Sequence, residues 1–102
     1  MSRRKSQPEE SPAPTQEDID EGICLDEREG EISRGFRGSV CEDGVAALYQ
    51  RRVLAQSTSR SHLFQLLRAK AEELCFPRIF EVNDHGNVTE FSYTGKVLGE
   101  WV

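Results

Sequence analysis

Residues 42–56, Glu-Asp-Gly-Val-Ala-Ala-Leu-Tyr-Gln-Arg-Arg-Val-Leu-Ala-Gln, decide the fold, because their period sets what everything around them must pack against. Val45, Leu48, Tyr49 and Val53 fall at helical spacing, with Leu54 off that stripe. Just upstream, Ser39-Val40-Cys41-Glu42 fits a capping box, in which the Ser hydroxyl accepts from an early amide and Glu reaches back. Asp43 is a competing cap. The pattern predicts a first helix over about 42–56.

Working outward, Ser57-Thr58-Ser59 reads as a break followed by a new cap. A second helix is expected over 60–76. Leu63, Leu66, Leu67, Ala71 and Leu74 repeat at helical spacing, and Pro77 prevents continuation because the residue before a proline disfavours helical backbone. The last quarter is strand-like. Residues 78–82, 88–93 and 97–102 are rich in β-branched and aromatic side chains. Asn83-Asp84-His85-Gly86-Asn87 and Thr94-Gly95-Lys96 separate them with residues that tolerate turn geometry. The expected fold is α+β: two helices followed by a three-stranded antiparallel meander, with the second helix laid across it.

Upstream, residues 1–38 read as a disordered or flexible acidic segment, leaving residues 39–102 as the folded domain. Pro8, Pro12 and Pro14 interrupt regular structure, and the first 35 residues contain no aromatic. Residues 17–32 place Ile19, Ile23, Leu25 and Ile32 among eight carboxylates, a composition suited to docking on a cationic surface or to plain solvation. Gly30, Gly35 and Gly38 mark the passage into the domain. The turn-rich stretch 86–98 superficially resembles one unit of a tyrosine/aspartate shell repeat. It occurs once and without the expected Asp, so nothing about function follows from it.

The charges are segregated. Residues 1–43 carry 12 carboxylates against 6 cations, and residues 72–102 carry 6 against 2. Residues 44–71 contain no Asp or Glu but hold Arg51, Arg52, Arg60, Arg68 and Lys70. Such blocks control which partners are attracted. On a helical wheel, Arg68 and Lys70 border the apolar stripe of the second helix instead of sharing its outer face, so the cations form a rim.

No Walker A loop, dinucleotide-binding glycine pattern, Cys-x-x-Cys or His-Glu-x-x-His is present, so no cofactor is expected. Cys41, Cys75, His62 and His85 lack the short spacings of a zinc site, and a Cys75–His85 nucleophile pair is no better supported. Three widely separated cysteines are not a disulfide framework. No apolar run approaches the ~20 residues a membrane span needs, and Ser-Gln-Pro-Glu-Glu stands where a secretory signal would be apolar. A cytoplasmic location is the expectation.

These features point to a small non-catalytic accessory or regulatory protein acting through protein contacts. The expected contact surfaces are the rim of Arg51, Arg52, Arg60, Arg68 and Lys70, facing an acidic partner, and an open edge strand near Trp101, which could also serve self-association. A core anchor is the readier account of Trp101, since a lone Trp in a small domain usually packs inward. The alternative is a winged-helix-like nucleic-acid-binding regulator, which the acidic flanks disfavour.

Overall fold

The computed structural model describes residues 12–33 and 40–102. Its elements are α1 (Gln16–Glu21), β1 (Ile23–Ser33), β2 (Cys41–Tyr49), β3 (Arg52–Ser57), α2 (Arg60–Ala71), β4 (Ile79–Val82), β5 (Val88–Phe91) and β6 (Val97–Trp101). Strand accounts for 46% and helix for 21% of the described residues, in one six-stranded mixed sheet of order β3-β2-β1-β4-β5-β6. All neighbours are antiparallel except the central pair, β1 and β4.

This overturns the expected two helices and three-stranded meander. Residues 42–56 are not a helix but the hairpin of β2 and β3. Val45, Ala46 and Ala47 are all buried, so both faces of β2 pack against protein and the sequence shows no two-residue alternation. The turn is Gln50–Arg51, with φ of 53° and 67°. A two-residue hairpin turn of the primed type requires such left-handed values. Gly35, Gly38 and the expected Ser39 cap lie outside the described residues, as does the expected disorder over residues 1–11.

The acidic segment is corrected as well. Thr15 caps α1 in a capping box with Asp18. Ile23–Ser33 then forms a central strand paired with β2 on one side and β4 on the other. Ile23 and Leu25 are core residues, joined by Val45, Ala47, Leu63, Phe64, Leu67 and Ile79. The folded unit therefore extends upstream of residue 39.

The helix of residues 60–76 is shorter than expected. Ser59 accepts from the His62 amide to start α2. Four residues after Ala71, the backbone turns left-handed at Cys75 and Phe76, and the Phe76 amide donates back to the Ala71 carbonyl. α2 does not lie across the meander alone; it packs chiefly on β2 and β3. The meander of β4, β5 and β6 is only one half of the sheet.

The chain thus runs α1-β1-β2-β3 and then α2-β4-β5-β6. Each unit places its first strand at the centre and its third at an edge. Each also has a register shift between its second and third strands, between Ala47 and Leu48 and between Glu90 and Phe91. Such bulges bend and blunt an exposed edge. The two helices cover opposite faces. Cys24 and Phe80, whose side chains point away from the α2 core, lie under α1: the Cys24 thiol reaches the Ile19 carbonyl and Asp18 lies 3.8 Å from Arg78.

Candidate functional site: the cationic end of the sheet

Strand direction sorts the connections into two groups. At the end where β1 and β4 begin lie the Gln50–Arg51 turn, the α2–β4 connection (72–78) and the β5–β6 turn (92–96). At the opposite end lie Thr58–Ser59 and the β4–β5 turn (83–87).

Four of the six expected site residues gather at the first end. Arg51 lies in the β2–β3 turn, Arg52 begins β3, and Arg68 and Lys70 lie in the last turns of α2. Lys96 adds a fifth cation, while the α2–β4 connection brings Glu72 and Glu73, and α1, which leads into β1 on the opposite face of the sheet, brings Glu17, Asp18, Asp20 and Glu21. Among the described residues none of Arg51, Arg52, Arg68 and Lys70 makes an ion pair. Arg78, by contrast, is fully engaged. It donates to both Glu90 oxygens at 2.9 and 3.1 Å and lies 5.0 Å over the Phe80 ring. The Glu90 hydrogen bonds raise its pKa further.

Arg60 and Trp101 belong elsewhere. Arg60, at the start of α2, pairs with Glu81 at 2.9 Å and Glu27 at 3.6 Å and lies 5.5 Å from the Phe91 centroid. Its charge is spent locally, so it is not part of a shared rim. Trp101 lies on edge strand β6 with its indole over Gly99, where an added Cβ would come within 2.6 Å of the ring. The end that holds Arg60 is acidic. Two adjoining clefts of about 420 and 540 Å³ share Glu27 and Asp84, with Asp26 and Glu81 lining the first and Glu29 and Asp43 the second. The molecule is therefore polar along its strands.

Three aromatics at the cationic end escaped sequence reasoning. The Phe76 ring meets Tyr93 edge-on, with centroids 5.8 Å apart and planes at 88°. The Tyr93 hydroxyl donates to the Pro77 carbonyl, and the Tyr93 carbonyl accepts from Arg68 at 2.7 Å. Burial, with Tyr49 nearby, pushes the Tyr93 phenol up to about 12. Tyr49 in turn stands opposite Arg52 in the sheet register. Only the position of Phe76 next to Pro77 hinted at a chain reversal; nothing local announced that these rings would meet.

The nucleophile candidates separate. Cys75 precedes β4 and His85 follows it, at opposite ends of the sheet. Among the described residues no cluster of His, Cys, Asp or Glu could hold a metal ion. Burial raises the Cys24 thiol pKa, with Asp20 contributing. One serine–histidine contact exists, between Ser57 Oγ and His62 Nδ1 at 3.0 Å. Ser57 Oγ also accepts from the Ser59 amide, so the contact belongs to the capping network at the start of α2.

No protein-family model, curated protein or solved structure matches the chain. No helix among the described residues is long and apolar enough to cross a membrane.

Proposed function

We propose that this is a small non-catalytic accessory or regulatory protein that binds an acidic protein partner at the cationic end of its sheet. The observation that carries the reading is the convergence there of Arg51, Arg52, Arg68 and Lys70, none held in an ion pair among the described residues. Unpaired guanidinium groups are the side chains best suited to bidentate capture of carboxylates. The acidic opposite end orients an approaching anionic partner by repulsion. Three free cysteines suit a reducing, cytoplasmic setting. The winged-helix reading loses its basis with the fold, since no helix pair precedes a wing.

The edge strands are a poorer contact than expected, because β3 and β6 each carry the long side of a bulge. The test is capture of partners by the full chain, by Arg51→Glu/Arg52→Glu and by Asp84→Lys. A partner lost with the double reversal, kept by Asp84→Lys and weakened by salt supports the reading. A partner lost only with Asp84→Lys overturns it and moves the contact to the acidic clefts.

A further inference from the structure

We infer that Phe76 anchors this contact, and that the partner segment carries an apolar side chain among its carboxylates. The inference rests on the reading above and adds the residue that confers specificity. Three observations carry it. Phe76 is 62% exposed, although an aromatic that follows an amphipathic helix ordinarily turns inward. Its backbone and that of Cys75 are both left-handed, at φ 54° and 66°, where glycine would be at home. Strain of this kind persists where the surroundings fix it, and it concentrates at binding sites.

The ring is also held on a firm base. Tyr93 supports it edge-on, and Tyr93 is tied to Pro77 through its hydroxyl and to Arg68 through its carbonyl. Beyond Tyr93, Tyr49 leads to Arg52. An exposed aromatic braced by Tyr93, at the end that also holds Arg51, Arg52 and Arg68 with no ion pair among the described residues, has the composition of an interface hot spot. Charge alone would not suffice, since exposed ion pairs are weak and screened. A segment that offers carboxylates to the arginines and an apolar side chain to Phe76 satisfies both.

Two labelled peptides of equal charge test this: Asp-Asp-Glu-Trp-Asp-Glu-Asp, and the same peptide with Gly replacing Trp. The full chain should bind the first at least about tenfold more tightly. Phe76→Ala should make the two affinities equal, whereas Arg51→Glu/Arg52→Glu should weaken both. Cys75→Gly, which relieves the backbone and keeps the ring, should retain the preference, and unchanged binding of the Gly peptide by Phe76→Ala should show that its loss is not a loss of fold. Equal, salt-sensitive binding of both peptides overturns the anchor but leaves the cationic end as a contact. Binding of neither overturns both. Tighter binding of oligothymidylate, weakened by Phe76→Ala, also overturns the inference by assigning the surface to single-stranded nucleic acid.

Discussion

Gln50, Arg51, Cys75 and Phe76 all adopt positive φ without being glycine. The left-handed region crowds a Cβ against the following carbonyl, which costs about 1 kcal/mol per residue. Arg51→Gly should therefore stabilise the fold by about 0.5–1 kcal/mol in urea melts, since a primed hairpin turn favours glycine there. Cys75→Gly should do the same at the end of α2. On the proposed function, the Arg51 change also weakens partner binding, a trade of stability for contact. Tyr93 sets an alkaline limit. Its phenol ionises near 10 when unfolded and at about 12 in the fold, so the folded state holds the proton longer. The Tyr93 contribution should be constant below pH 10 and decline from there toward pH 12, adding to the loss that the buried Cys24 thiol begins at lower pH. Tyr93→Phe should remove that decline, as followed by alkaline unfolding and phenolate absorbance.

Among the elements, those with an unambiguous period were legible. α2 buries Leu63, Leu67 and Ala71 on one stripe, and β4 to β6 are separated by turn residues such as Asn83, Gly86 and Gly95. The β2–β3 hairpin was not legible. Its first strand is buried on both faces, and Gln-Arg lacks the Asn-Gly signature of its turn. β1 was hidden for another reason. Only Ile23, Leu25 and Ile32 are buried in it, and its carboxylates collect toward the acidic end, so the segment resembles a solvated tail. Of the proposed site, the sequence listed Arg51, Arg52, Arg60, Arg68 and Lys70 as one rim and could not sort them by end, because strand direction sets Arg60 apart from the others. A fully packed Leu25 distinguishes strand from tail: Leu25→Ala should cost about 2–4 kcal/mol by chemical denaturation, where a tail residue would cost nothing. Gly44→Val should also destabilise, because a Cβ there would lie 2.4 Å from Ile32 and 2.6 Å from the Ser57 carbonyl oxygen.

At the scale of the molecule, β1 is the keystone, since it contacts β2 and β4 at once. A chain beginning at Arg34 loses that strand and separates the sheet into two uncovered halves. It should show collapsed amide dispersion and no cooperative melt, where the full chain melts cooperatively. The central seam has a kinetic corollary. Ile23 and Ile79 stand side by side although 56 positions separate them, while every other ladder joins strands consecutive in the chain. Hairpins can zip within microseconds, but this closure must wait for both halves to meet. During synthesis, β1 therefore leaves the ribosome well before its second neighbour exists. The interval between them is when the nascent chain most needs a chaperone's cover.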